Sequence, residues 1–220
     1  MRSLAKPEVL QSAVLAGLIT AVACYPRLYL AAKLNYPVWY LETMLFLGSI
    51  VLWAFVFAWH TEYCGQPVLT FEIRRGPFTW ATTSGLVAAL VLRFWLDPVL
   101  RARTPDDYPV SLEQWAAMTL FSLAFTQLFL VFAPFAWLMR LIKRQRPAIV
   151  LTVLFGLYVL VVKNYRSPQP PTLTLWIALV VIRVVVGLGS VLFFLRGGLI
   201  LVWWWSFLLQ SRHLLALFEK

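Results

Sequence analysis

The chain has 220 residues, of which 61% are hydrophobic and 13% are charged, and its net charge is +10 at pH 7. Soluble globular domains have roughly 45–50% apolar and about 25% charged residues. A soluble fold of this size could not bury so much apolar surface, so the composition excludes a soluble globular protein and favours one solvated by lipid. The positive charge is typical of loops on the cytoplasmic side of a membrane. We expect no nucleic-acid partner, because no basic stripe follows a polar face.

Continuous apolar runs predict helices that cross a membrane. A spanning helix needs about 20 mostly apolar residues, whereas the strands of a membrane barrel would alternate in polarity. The sequence therefore predicts an all-α, polytopic bundle of about seven transmembrane helices, with six or eight as the neighbouring counts. We place the helices at residues 9–31, 38–60, 77–96, 114–140, 147–163, 172–194 and 199–217. No linker divides the chain, so residues 1–220 are expected to form a single transmembrane domain.

The loop between the fourth and fifth helices is strongly basic. It carries Arg140, Lys143, Arg144 and Arg146. Because Lys and Arg in short loops stay in the cytoplasm, we expect residues 140–146 on the cytoplasmic side of a plasma membrane, with a bacterial inner membrane as the expected setting. Seven crossings would then place the C-terminus outside, although basic residues are almost evenly divided between the two sides.

Ionisable side chains at membrane depth are costly and mark functional sites. Arg183 lies well inside a run of Val and Ile, and we expect it to turn into the bundle, where a carbonyl, an acid or a bound ligand can accept its hydrogen bonds. Glu42, near the start of the second helix, is a second candidate binding residue. Structural roles for both residues remain open alternatives.

The segment around His60 contains metal-ligating residue types, but it does not predict a metal site. His60, Glu62 and Cys64 follow one another at every second position. Only His60 and Cys64 would share a face of a helix, and one pair is too few ligands. The other histidine, His213, lies near the C-terminus. No nucleophile elbow, phosphate-binding glycine loop or His-Glu-x-x-His motif is present, so we expect no cofactor.

Residues 124–217 resemble the core of a known family. Phe155-Gly156-Leu157-Tyr158-Val159 looks like a Phe-Gly-Leu-x-His motif, and Thr126-Gln127-Leu128-Phe129-Leu130-Val131 falls at the spacing of a Glu-Glu-x-x-x-Arg motif. The stretch from Gly187 to Arg196-Gly197-Gly198 looks like a third, glycine-rich motif. These motifs belong to the CAAX-protease and bacteriocin-processing family of intramembrane proteases, which is also described as type II CAAX prenyl endopeptidase-like.

The residues that carry catalysis in that family are replaced in this chain. The resemblance implies that a glutamate and histidines activate water for peptide hydrolysis. Here Thr126 and Gln127 stand for the two glutamates, Val131 for the arginine and Val159 for the first histidine, and Phe207 falls near the place of the last histidine. Gln127 cannot accept a proton at neutral pH, and valine can hold neither a proton nor a metal. The resemblance therefore implies a degenerate relative without catalytic residues, in which Gln127 could still bind a ligand.

Three functions follow from these observations. We expect a non-catalytic membrane scaffold, or a subunit that binds lipids, peptides or other membrane proteins. One alternative is an active intramembrane peptidase or another membrane enzyme, which requires at least two of Glu42, His60, Glu62 and Arg183 to converge in one wet cavity. The other alternative is a transporter or its accessory subunit, for which Arg183 would supply a polar group near the midplane.

Overall fold

The computed structural model describes residues 4–31, 35–65, 67–70, 74–165 and 171–218, and the regular secondary structure within these ranges is helical. This confirms the predicted all-α fold. The first five long helices are Pro7–Tyr29 (α1), Val38–Cys64 (α2), Arg75–Arg103 (α3), Leu112–Ile142 (α4) and Gln145–Tyr165 (α5). A single 3-10 turn, Pro105–Asp107, lies between α3 and α4. Each long helix has the length and hydropathy required to span a membrane.

The last helical stretch, Leu173–Phe218, consists of two helices that fold back on each other. A straight helix of 46 residues would be about 69 Å long, more than twice the roughly 30 Å of a bilayer core. Gly197 and Gly198 leave the helical region, with φ of −156° and 63°. The rings of Phe193 and Trp205 lie 5.5 Å apart, whereas a straight helix would separate these residues by about 18 Å. We name the two helices α6 (173–196) and α7 (199–218).

Because successive helices run in opposite directions, the bundle has two ends. We call one end the N-terminal face: it carries the start of α1, the α2–α3 loop, the α4–α5 loop and the α6–α7 turn. At this face the Leu199 N–H donates a 3.1 Å hydrogen bond to the Val68 carbonyl of the α2–α3 loop. The Arg140 guanidinium lies 4.4 Å from the centre of the Trp59 ring. The opposite end, the C-terminal face, carries the α3–α4 loop and the end of α7.

The surface of the bundle is largely apolar. Large aliphatic side chains are exposed on successive helices, including Val22, Val51, Leu90, Leu154 and Val185. Soluble proteins rarely expose contiguous apolar surface of this kind, because water would not solvate it. The surface therefore fits an integral membrane protein, as the composition predicts. The assignment of the basic loop at the N-terminal face to the cytoplasm stays a prediction.

Aromatic side chains fill the core between α2, α4 and α6. The Phe194 ring lies 4.2 Å from that of His60, 4.6 Å from that of Phe132 and 6.4 Å from that of Phe135, measured between ring centres. Trp53 packs against Phe132 at 6.3 Å. All five side chains are buried. His60 is thus part of an aromatic core, although histidine is a residue type that can bind metals.

Candidate functional site

The family-like residues of α4 lie beside a small space between α4, α5 and α6, which we call the inner chamber. Thr126, Gln127 and Val131 of α4, Gly156 of α5 and Arg183 of α6 contribute to its lining. Its volume is about 20 Å³. A space of this size holds about one water molecule. It is too small to admit a peptide.

Gln127 is fixed by a hydrogen bond to α7. Its Nε2 donates to Ser206 Oγ at 2.8 Å, and the residue is only 7% exposed. Its Oε1 and the Ser190 hydroxyl, which also lines the chamber, are buried and have no hydrogen-bond partner within the described part of the chain. Widened, π-helical turns precede and follow Gln127, and such turns are frequent at functional sites. In the inner chamber, Gln127 Oε1 could thus accept a hydrogen bond from a small polar ligand, and the Ser190 hydroxyl could donate or accept one.

Arg183 reaches the inner chamber from α6. Its Nε donates to the Gly156 carbonyl oxygen at 3.2 Å. A Cβ at Gly156 would lie 3.1 Å from that nitrogen and 3.2 Å from Nη2, so the glycine makes room for the guanidinium. Arg183 therefore turns into the bundle and meets a carbonyl, one of the partners expected from the sequence. Its role in binding a ligand stays a prediction.

Gly187 of the third family-like motif lines the chamber, but Val159 and Phe207 do not. Val159 is half-buried on α5 and is not among the described residues that line the chamber. Phe207 packs against Trp115 and Trp204, with ring centres 6.2 Å and 6.1 Å away. The side chain of α7 that meets Gln127 is that of Ser206, the preceding residue.

The residues named for the enzyme alternative are separated in the fold. Glu42 lies near Cys24 of α1, and its Oε2 is buried without a hydrogen-bond partner in the described part of the chain. His60 belongs to the aromatic core, and Glu62 is exposed at the N-terminal face. Arg183 lies at the inner chamber. No group of three or more His, Cys, Asp or Glu that could hold a metal ion occurs among the described residues.

A larger cavity, which we call the basic cavity, lies at the C-terminal face. Its volume is about 470 Å³. Basic side chains from four helices line it: Arg27 of α1, Arg103 of α3, Lys163 of α5 and Arg212 of α7. One acidic residue, Asp107, is among the described lining residues. The cavity therefore gathers positive charge from four helices at one end of the bundle.

Apolar side chains form another wall of the basic cavity. They are Leu100, Met118, Phe121, Leu160 and Leu179. Thr126 lines both the basic cavity and the inner chamber, so the two spaces are neighbours along α4. The arrangement suits a ligand that has both a charged end and an apolar part.

A buried acid holds the wall of the basic cavity in place. Asp97 is 4% exposed and accepts hydrogen bonds from Arg212 Nε, at 3.1 Å and 3.3 Å, and from the Tyr108 hydroxyl, at 3.0 Å. His213 Nδ1 lies 3.9 Å from Asp97 Oδ2. Burial, followed by the negative charge of Asp97, raises the pKa of Tyr108. The phenol therefore keeps its proton and remains a donor to Asp97.

Sequence reasoning did not find the basic cavity, because its lining comes from six of the seven helices. Arg212 and Asp97, for example, are 115 residues apart in the chain. The available signal was that Arg27, Arg103, Lys163 and Arg212 all fall near helix ends that the predicted topology places outside. That is the side on which Lys and Arg are normally scarce.

Comparison with known proteins gives no match: neither a protein-family model, nor a curated protein, nor a solved structure is similar to this chain.

Proposed function

We propose that this chain is a non-catalytic integral membrane protein that binds a membrane-borne ligand, and that it is a degenerate relative of the CAAX-protease and bacteriocin-processing family. The observation that carries the proposal is the environment of Gln127. Its carboxamide is buried and hydrogen-bonded to Ser206, at a position where the resemblance calls for a glutamate. A carboxamide cannot act as a general base, and the inner chamber around it has room for about one water molecule.

The basic cavity supports the binding part of the proposal. Ligand pockets typically enclose about 300–1,000 Å³ and combine apolar walls with a few convergent polar groups. The cavity, at about 470 Å³, has both features. Its place at the end of the helices would let a ligand enter from the headgroup region of the membrane.

Peptide cleavage by purified protein in lipid nanodiscs tests the proposal. We expect no hydrolysis of prenylated or unmodified fluorogenic peptides, whereas an active family protease prepared in parallel should cleave its substrate. Native mass spectrometry of the same preparation should detect a bound ligand. Hydrolysis that is lost when Gln127 is replaced by Ala would refute the proposal.

One observation favours an enzyme as a second candidate. His213 lines the basic cavity, with the Asp97 carboxylate 3.9 Å from its Nδ1. A carboxylate that approaches to hydrogen-bond distance can orient an imidazole as a general base. This candidate predicts turnover of the cavity's ligand that His213→Gln abolishes while ligand binding is retained. The transporter alternative depends on Arg183, whose Nε donates a hydrogen bond to the Gly156 carbonyl oxygen.

A further inference from the structure

We propose that the basic cavity binds the phosphate group of an anionic amphiphile. This inference rests on the proposed function, because it names the class of ligand that the protein would bind. Its starting point is the convergence of Arg27, Arg103, Lys163 and Arg212 on one cavity.

Among the described residues at the basic cavity, two cations have acidic partners and a third has none. Lys163 Nζ pairs with Asp107 at 3.0 Å, and Arg212 Nε pairs with Asp97 at 3.1 Å. Arg27 lies on the same lining and forms no ion pair within the described part of the chain, so it adds a positive charge that no described acid offsets. Like charges that converge in a partly buried space repel one another more strongly than in water. A bound anion would offset that repulsion, which favours an anionic ligand over a neutral one.

The basic residues also suit phosphate in particular. Three of the four are arginines, whose planar guanidinium donates parallel hydrogen bonds that match phosphate oxygens. They come from different helices, so they surround a volume rather than follow one surface stripe. Arg212 is held by Asp97 and also donates to the Leu209 carbonyl at 2.6 Å, so its position is fixed before any ligand arrives. Such preorganisation lowers the entropic cost of binding.

The usual charge bias of membrane proteins does not account for these residues. That bias concentrates Lys and Arg in the loops of one face, and in this chain the strongly basic loop at residues 140–146 lies at the N-terminal face. The basic cavity is at the opposite face. Cations retained on both sides of the membrane need a separate explanation, and an anionic ligand provides one.

The apolar wall distinguishes an amphiphile from a small soluble ion. Leu100, Phe121 and Leu179 offer no hydrogen bonds to phosphate, but they would contact an alkyl chain attached to it. The cavity lies at the end of the helices, where the phosphate groups of lipids are expected if the bundle spans the membrane. A free phosphate compound has the same headgroup chemistry, and the experiment must separate the two sources.

Titration of detergent-solubilised full-length protein with three probes provides the test. The probes are short-chain phosphatidylglycerol, diacylglycerol with the same acyl chains but no phosphate, and inorganic phosphate, with binding followed by native mass spectrometry and calorimetry. We expect phosphatidylglycerol to bind more tightly than inorganic phosphate, and diacylglycerol to bind at least about tenfold more weakly than phosphatidylglycerol. If inorganic phosphate binds as tightly as the lipid, the cavity recognises phosphate but its ligand is a soluble phosphate compound, and the assignment to an amphiphile is wrong. Equal binding of diacylglycerol and phosphatidylglycerol would overturn the proposal.

A matched pair of variants localises the effect. Arg27→Gln combined with Arg103→Gln should weaken phosphatidylglycerol binding by about tenfold or more. Arg144→Gln combined with Arg146→Gln removes the same charge from exposed positions at the other face, and should leave binding unchanged. Equal effects of the two pairs would refute the assignment to the cavity.

Lys163→Gln gives a test that does not depend on the stability of the arginine variants. The Lys163 side chain is 69% exposed, so its replacement should not disturb folding. We expect it to weaken phosphatidylglycerol binding severalfold and to reduce the dependence of binding on salt. An unchanged affinity would count against the proposal. Peptide hydrolysis by the wild type would refute the proposed function while leaving a phosphate-dependent binding result intact.

Discussion

Individual residues of the bundle interior show which sequence inferences can be made locally. Arg183 could be expected to turn inward, because a guanidinium in a run of Val and Ile has no favourable position in lipid. Its partner, the Gly156 carbonyl, follows only from the packing of α5 on α6. The pairing of Gln127 with Ser206 likewise depends on the rotation of α7. Local chemistry therefore predicts which residues need partners, while tertiary packing determines what those partners are.

Ser206→Ala should destabilise the protein because it leaves the Gln127 amide buried without its acceptor. Such a loss costs about 1–3 kcal/mol. We expect a lower midpoint of thermal unfolding, measured by intrinsic fluorescence in detergent, and partial recovery when Gln127→Leu is added to Ser206→Ala. Ser211→Ala, which removes a hydroxyl bonded to a carbonyl of its own helix, is the control and should have a smaller effect. Equal shifts for Ser206→Ala and Ser211→Ala would contradict the role given to the Gln127 bond.

Gly156→Ala tests whether the inner chamber depends on the position of Arg183. The new methyl group would lie 3.1 Å from Arg183 Nε, so the guanidinium must move and its bond to the Gly156 carbonyl weakens. We expect a lower unfolding midpoint in the same assay. Gly48→Ala is a suitable control, since a Cβ there meets no atom within 4 Å and alanine favours the helix. The control should be neutral or stabilising, and a loss of stability as large as that of Gly156→Ala would argue against this explanation.

Whole helices were predicted more accurately than their ends. The helix predicted at residues 77–96 extends over Arg75–Arg103 in the structure. It is longer than predicted because the helix continues past Pro98. A widened, π-helical turn at Leu92–Leu96 precedes Pro98, and the proline lies in the first turn of the α-helical segment that follows. Proline is tolerated there because backbone N–H groups in the first turn have no partner within the helix. At the end of α2, Gly65 adopts a left-handed conformation with φ of 67°, and the helix continues to Cys64. Such details depend on turn geometry, which hydropathy does not record.

The α6–α7 turn gives a second glycine comparison. Gly198 and Gly65 both have positive φ, of 63° and 67°, so alanine would cost about 1–2 kcal/mol of backbone strain at either site. A Cβ at Gly198 would also lie 2.7 Å from the Val68 carbonyl oxygen, whereas at Gly65 it would meet nothing within 4 Å. Gly198→Ala should therefore reduce thermal stability and membrane expression more than Gly65→Ala does. Equal losses would show that the contact between the turn and the α2–α3 loop contributes little.

At the scale of the whole molecule, composition predicts that lipid surrounds the protein, but it does not predict where a ligand would bind. Hydrophobic content is a sum over the chain, and it indicates a membrane protein however the helices are arranged. The basic cavity depends instead on six helices bringing four cations to one place, which a one-dimensional pattern cannot show. The resemblance to a protease core singles out Gln127 and Val159, whereas the basic cavity lies at the C-terminal face.

The number of crossings determines whether the end of α7 lies at the same face as the α3–α4 loop, as the basic cavity requires, and it can be measured. With α6 and α7 folded back on each other, the chain crosses seven times and Phe218 lies at the same face as Val110 of the α3–α4 loop. A single crossing by residues 173–218 would instead place Phe218 at the face of Arg144. Single cysteines at Phe218, Val110 and Arg144, in a chain with Cys24→Ala and Cys64→Ala, distinguish the two topologies.

A membrane-impermeant maleimide applied to intact cells and to inverted vesicles should label Phe218→Cys and Val110→Cys from one side and Arg144→Cys from the other. All three positions are exposed, so a lack of labelling would not follow from burial. Labelling of Phe218→Cys together with Arg144→Cys would exclude the hairpin, and with it the placement of Arg212 and Arg27 at one cavity. If Val110→Cys labels in intact cells, the basic cavity faces outward and its ligand must come from the outer leaflet or the space beyond it.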